Sequence, residues 1–327
     1  MKRRSDIPLH AILLVFVFLT MLPFLFVINN SLRTNTEMYH SFFGLPKSLE
    51  NMARFTWYHL TGQAERIRLR RPMPEGKTAG QVRAADMPIE QAPYGRAMAR
   101  LWDDLTRGYR YAWEVLRPYM VNTLLVCLTT AAAVVLVASI SGYVFARYRF
   151  PGSKVLFVAV LSLMMIPGVL TLVPSFLLVK QLGLLNSYGV LILPYTAGGQ
   201  IFAIFLFKGF FEGLPEELFE SARLDGAGHL ALYWHIVLPL SKQIIAVVAI
   251  MNILATWNNF LWPFITNTDP KYHVVSSGLY IMGTSQVAQN YSTMFAAYLL
   301  SSIPLLLLFI YATRPFLRGV ASGAFKA

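Results

Sequence analysis

The chain has 327 residues, 56% hydrophobic and only 13% charged, with a mean hydropathy of +0.51. Soluble domains carry about a quarter charged residues, so this composition argues for a bilayer as the solvent. A net charge of +12 would suggest nucleic acid in a soluble protein; here the basic residues flank apolar segments or gather in one long loop, which fits membrane anchoring and no nucleic-acid partner.

In chain order, Met1-Lys2-Arg3-Arg4 precedes an apolar run from Leu9 to Ile28 that no small-x-small cleavage site closes, so it reads as an uncleaved first span. A long loop, 31–118, follows and holds fourteen basic residues. Its start, Ser31 to Trp57, reads as the exit from the first span. The stretch from Arg66 to Pro93 has weak periodicity and is predicted irregular. From Tyr94 to Val115, Met98, Leu101, Trp102, Leu105, Tyr109, Trp113 and Leu116 form an apolar stripe, predicting a short surface-lying helix before the second span. Five more runs are long and apolar enough to cross the bilayer: Met120–Val144, Val155–Val179, Tyr188–Phe207, Gln243–Ile265 and Met294–Ala312. The expectation is an all-α polytopic membrane protein with six transmembrane helices in a single domain, 1–327. The lone cysteine, Cys127, lies in the second run and is predicted to pack as a small hydrophobe. Pro23, Pro167, Pro174, Pro194, Pro263 and Pro304 interrupt the spans, and Pro167 and Pro174 are the ones expected to shape a translocation path.

Short-loop charge sets the orientation. Basic residues precede the first span, occupy Arg147 to Lys154 and follow the sixth at Arg314, Arg318 and Lys326, whereas the opposite short loops offer only Lys180 and Lys271. Both termini are therefore predicted cytoplasmic. The 31–118 loop falls on the other side and is too long to obey the charge rule.

Between the fourth and fifth runs lies EELFESARLDGAGHLALYWHIVLP, Glu216 to Pro239. Glu216 to Leu224 predicts one short helix, Gly226 and Gly228 a tight turn, and His229 to Val237 a second helix ended by Pro239. Too polar to span, this element is expected to lie flat on the membrane and dock onto something.

Several chemistries are missing. All sixteen acids lie outside the spans, which disfavours a proton- or sodium-coupled carrier. The only Gly-Lys-Thr, Gly76–Thr78, lacks the upstream glycine and preceding strand of a nucleotide-binding loop. The six histidines show no metal-ligand spacing, and no catalytic triad or carboxylate pair can be proposed, so the chain reads as no enzyme, with no catalytic, metal or cofactor site of its own.

Glu220-Ser221-Ala222, three residues, Gly226, nine residues, then Ile236-Val237-Leu238-Pro239 resembles the signature cytoplasmic loop of binding-protein-dependent ABC importer permeases. The usual opening is Glu-Ala-Ala; Ser221 is a small-for-small departure. Arg223-Leu224-Asp225-Gly226-Ala227 resembles the carbohydrate-uptake branch, and weaker fragments follow in order: Arg147–Gly152, Met165-Ile166-Pro167, Gly183–Ser187, Trp257–Pro263 and the tail from Arg318 to Lys326. The whole is similar to the second permease subunit of maltose-type systems. The insertion at about 56–111 is the main departure, since relatives usually have a shorter loop there.

The resemblance implies a type I ABC importer permease fold. It implies a second permease subunit, two ABC ATPase subunits that bind ATP and Mg²⁺, an extracytoplasmic solute-binding protein and a carbohydrate substrate. The 212–240 loop would couple to the ATPase through Glu220, Ser221, Ala222, Asp225, Gly226, Ile236, Leu238 and Pro239. Pro167, Trp257, Asn258, Asn259 and Trp262 are candidates for the path or for sugar contact, the alternative being that Trp262 anchors the helix at the outer interface and Asn258 and Asn259 pack against the partner permease. A secondary carrier or channel and a membrane scaffold are the competing readings; the first lacks a pore-lining ion pair or repeated half.

Overall fold

The computed structural model describes residues 7–41, 43–70, 89–285 and 290–324. The basic start Met1-Lys2-Arg3-Arg4, the Gly76–Thr78 match, Lys326 and the middle of the 66–93 stretch lie outside the described residues. In hydrocarbon each backbone N–H and C=O must be satisfied within its own segment, so the apolar runs become helices. Among the described residues four helices are individually long and apolar enough to cross a membrane: α1 (Ile7–Ser31), α4 (Tyr94–Arg147), α7 (Gly189–Glu212) and α14 (Tyr291–Ala324). Two bent pairs bring the total to as many as six.

The predicted third and fifth spans are not single rods. α5 (Ser153–Ser162) gives way to a short tight turn at Leu163–Met165, and α6 (Gly168–Gln181) leaves at 98°. Ile166 is extended at ψ 115°, as a residue before proline prefers, and Pro167 has no N–H to continue the ladder. Pro174 lies inside α6. The fifth, α11 (Lys242–Asn258), stops where Asn259 turns extended at ψ 114°, and α12 (Leu261–Thr266) restarts the helix. The Asn259 side-chain oxygen accepts from the Trp262 N–H at 3.3 Å, so an amide replaces the interrupted backbone bonding.

Two expectations for the long loop are corrected. The helix from Tyr94 does not end before the second span; it runs 54 residues to Arg147 through Pro118. Buried Leu101, Leu105, Ala112 and Leu116 keep one helical stripe unbroken into the span, and nothing between them stops the helix. Trp102 and Trp113, counted in the predicted stripe, are instead exposed. The stretch read as irregular holds a small antiparallel ladder, β1 (Arg68–Arg70) on β2 (Ile89–Gln91), pairing Leu69 with Glu90.

The chain forms two compact units, and α4 and α14 contribute to both. In the first (1–115 with 281–300), α1 is apolar on all sides and exposed from Leu9 to Leu25, as a helix facing lipid or another subunit must be. At its end the Arg33 guanidinium is buried and donates to Asn30 Oδ1 and the Glu37 carbonyl, both at 2.8 Å, tying the exit to α2 (Asn35–His40). Phe55 of α3 (Lys47–Leu60), Ile67, Ala92, Ala97 and Leu101 make a separate small core.

In the second unit (116–280 with 301–327), α4, α7 and α11 pack around Val134, Ala138, Phe207, Phe211 and Val248. Gly142 permits the close crossing, because a Cβ there would stand 2.6 Å from the Phe207 Cβ. Cys127 is buried beside Trp257 and Val275, as predicted. Away from that core a polar clasp closes the loops. Asn122 donates to the Lys271 and His273 carbonyls and accepts from the Tyr188 hydroxyl, each at 2.8 Å. Asn186, at φ 55°, accepts from the N–H groups of Thr268 and Asp269 at 2.7 and 3.0 Å.

Candidate coupling surface

The segment after α7 folds as a helical hairpin. α8 (Glu217–Leu224) begins at Glu216, whose carbonyl accepts from the Phe219 and Glu220 N–H groups at 2.9 and 3.0 Å. Glu217 and Glu220 in its first turn face the positive end of the helix dipole. The helix closes on a Schellman motif: Ala227 N–H bonds the Ala222 carbonyl at 2.9 Å, and Gly226 N–H bonds that of Arg223 at 3.0 Å. That geometry needs a left-handed residue, and Gly226 supplies it at φ 83°. Ala222 and Ala227, the two positions such a motif brings together, both pack on the same core.

The return limb is α9 (His229–Leu232), a π-helical turn over Tyr233–Val237, and α10 (Leu238–Leu240). Pro239 therefore does not end this limb, as the sequence had suggested. It sits just past the π turn, where the ordinary i→i−4 ladder is already broken and a missing N–H costs little. The chain then bends by 76° into α11.

The hairpin has two faces. Inward, Phe219, Leu232, Tyr233 and Val237 are buried among Val134, Ala138, Phe207, Phe211 and Val248, and the Tyr233 and Ser139 hydroxyls share a 2.7 Å hydrogen bond. Removing one such buried phenylalanine costs about 3–5 kcal/mol, so the hairpin is held as part of the helix core. Tyr148 packs its ring 4.3 Å from that of His229, and burial pushes its phenol above the ordinary value with Arg223 opposing. Outward, Glu217, Glu220, Ser221, Asp225, Leu230 and Trp234 are exposed, and Leu224 is 89% exposed. Charged and large apolar groups side by side on a surface anchored from behind make a docking face.

Of the eight predicted coupling residues, Glu220, Ser221, Asp225, Gly226 and Pro239 lie on the exposed side. Ala222, Ile236 and Leu238 turn inward against the core and hold the hairpin. Sequence reasoning missed Phe219 and gave Arg147 no role. Arg147, the last residue of α4, pairs with Glu216 and donates to the Phe211 and Leu214 carbonyls, both at 2.6 Å. Only its place in the Arg147–Gly152 motif could have flagged it; the partners lie more than sixty residues away.

The five path candidates do not converge. Trp257 is buried beside Cys127. Trp262 is buried, with its indole N–H donating to the Val190 carbonyl at 2.8 Å. Asn259 is spent on the helix break, where its carbonyl also accepts from the Ser276 hydroxyl at 2.7 Å. Asn258 and Pro167 are exposed. Among the described residues no group of three His, Cys, Asp or Glu side chains is placed to hold a metal.

The model of a family described as binding-protein-dependent transport system inner membrane component matches residues 134–321. The chain is similar to the diacetylchitobiose uptake system permease protein of Streptomyces coelicolor, 31% identical over 78% of this chain and 82% of that one. It is 33% identical to the galactooligosaccharides transport system permease protein of Bacillus subtilis, over 64% of this chain and 74% of that one. In fold it resembles a solved bacterial ABC transporter involved in the import of the acidic polysaccharide alginate. The TM-score is 0.66 over 96% of this chain and 98% of that one, at 15% identity.

Proposed function

Since the chain belongs to the family of binding-protein-dependent transport system inner membrane components, we propose that it carries a carbohydrate through an ATP-driven importer as one of two permease subunits. The observation that carries the reading is the hairpin: a surface of acids and exposed apolar side chains, fixed from behind to three helices that reach into the membrane. Carbohydrate as cargo draws support from relatives named for diacetylchitobiose and galactooligosaccharide uptake. A neutral, hydroxyl-rich ligand also suits spans that contain no Asp or Glu, since an ionic one would want a counter-charge in a low-dielectric path.

In this reading the whole chain acts as one permease domain in the cytoplasmic membrane, with both termini and the 212–240 hairpin on the cytoplasmic side and the 31–118 loop outside. A solute-binding protein delivers the sugar outside, and a second permease subunit, as in maltose-type systems, completes the path. Two ATPase subunits bind ATP and Mg²⁺ and dock on Glu220, Ser221, Asp225 and Gly226. Their closure moves the hairpin, and because Phe219, Tyr233 and Val237 are locked into the α4–α7–α11 core, the helices move with it. That is linkage between two states, with ATP favouring one of them. The backbone breaks at Pro167 and Asn259 are the kind of irregularity membrane helices tolerate where they line a cavity or pack on protein, which keeps Pro167 and Asn258 as path candidates.

The test is uptake of labelled saccharides into proteoliposomes containing the complete transporter and its binding protein. Uptake should require ATP and vanish when the ATPase is inactivated. Glu220→Ala should lower it about tenfold with the subunits still assembled. Saccharide flux that persists with a dead ATPase would refute the reading.

A further inference from the structure

Arg147 is almost fully buried, with its side chain 8% exposed, and it touches three elements at once. It is the last residue of α4. One guanidinium nitrogen donates to the carbonyls of Phe211 and Leu214, which lie where α7 ends; the Phe211 carbonyl also accepts from the Leu214 N–H at 3.3 Å. The other nitrogen pairs with Glu216, the residue that opens α8. The guanidinium carbon stands 4.1 Å over the ring of Phe219, one turn into α8. Arg223, on the same helix, reaches Glu216 at 3.4 Å and keeps that carboxylate between two cations. A planar fork that bonds two carbonyls and a carboxylate while stacking on a ring needs arginine; lysine offers the charge without the fork or the plane.

We infer that Arg147 is a positioning residue for transport: it locks the first hairpin helix to the ends of α4 and α7, so that a push on the hairpin moves both helices together. The inference rests on the transport reading above. The covalent link between α7 and α8 is the short stretch Gly213-Leu214-Pro215-Glu216, which joins the helices without fixing the angle between them. Arg147 closes that angle from the side, and it alone ties α8 to α4 by charge among the described residues. Without it only apolar packing of Phe219 holds α8 to α4, and the ATPase-facing surface tilts more freely on the 213–216 stretch while the return limb stays in the core. Docking then survives and the transmission of movement is lost.

The experiment uses the complete transporter in proteoliposomes and reads saccharide taken up per ATP hydrolysed, with co-purification of the ATPase as the measure of docking. Arg147→Lys and Arg147→Gln should keep the ATPase bound and hydrolysing but lower the uptake per ATP about tenfold. Arg149→Gln removes a charge from the same loop at an exposed position and should match the wild type. Spin labels on the end of α4 and on α8 should report a broadened distance distribution in the Arg147 variants only. Glu216→Gln, which leaves both carbonyl caps in place, should show a smaller fall. An unchanged ratio in both Arg147 variants overturns the inference, as does loss of the ATPase from both, which would make Arg147 an assembly residue. A wild-type transporter with no ATP-driven uptake would remove the transport reading itself; coupled wild type beside fully coupled variants removes this inference alone.

Discussion

Replacing Gly226 by alanine isolates the turn of the hairpin from everything around it. A Cβ at Gly226 meets no atom within 4 Å, so the substitution neither clashes nor packs; its whole effect is the left-handed backbone at φ 83°. For an L-residue that conformation costs roughly 1–2 kcal/mol. Gly228, two residues on, is equally open but sits at φ −76°, where alanine is comfortable and gains roughly 0.4–1 kcal/mol by restricting the unfolded chain. The two alanine variants should therefore differ by about 1.5–3 kcal/mol, one to two orders of magnitude in the local opening equilibrium. Hydrogen exchange on the purified full chain reads this directly at the N–H groups of Gly226 and Ala227, which close the Schellman motif. Gly226→Ala should exchange faster there and Gly228→Ala no faster than wild type, with Gly226→Asn between them, since asparagine tolerates the left-handed region. Equal protection in the two alanine variants would refute the claim that the turn needs glycine for its backbone.

The clasp on the other loops makes a stability prediction. Asn122→Leu strands the buried His273 carbonyl together with the part-buried Lys271 carbonyl and Tyr188 hydroxyl, and at about 1–3 kcal/mol for a buried group left unpaired, less where water reaches, the chain should lose roughly 1–3 kcal/mol. Thermal unfolding in detergent measures it, and a shift no larger than that of an exposed-residue control would show that the clasp contributes nothing. His273 adds a pH dependence outside the spans. Burial lowers its pKa below the ordinary 6.5, against backbone hydrogen bonds to Asn267 and Thr268 and the charge of Asp269. A base depressed by folding binds fewer protons folded than unfolded, so its contribution is intact above pH ~6.5 and is lost as the pH falls through the folded value. His273→Gln should flatten the fall in thermal stability between pH 7.5 and 5; a slope as steep as that of the wild type would assign the acid sensitivity elsewhere.

The sequence by itself determined the solvent and the elements. Apolar runs with no Asp or Glu can only be helices in hydrocarbon, and the Glu216–Pro239 segment announces a hairpin because a left-handed C-terminal residue wants glycine and Gly226 sits where α8 ends. These are local facts, set by a residue and its neighbours within a turn or two. Tertiary structure decided what the local pattern left open. Trp257 and Trp262 were candidates for sugar contact, with interface anchoring as the alternative for Trp262; the structure buries both, because whether an aromatic plane is free depends on which helices cover it. Ala222, Ile236 and Leu238 belonged to the signature yet turn inward, leaving Glu220 and Leu224 to face out. The helix from Tyr94 ran on through Pro118, with Leu101, Leu105, Ala112 and Leu116 each buried by neighbours distant in the chain, which no window of sequence shows. Arg147 is the clearest case. Its local signal is a basic residue at the end of a span, which the charge rule already explains. Its partners at Phe211, Leu214 and Glu216 arrive only when α7 folds back beside α4, and a guanidinium takes its role from the groups that surround it in space.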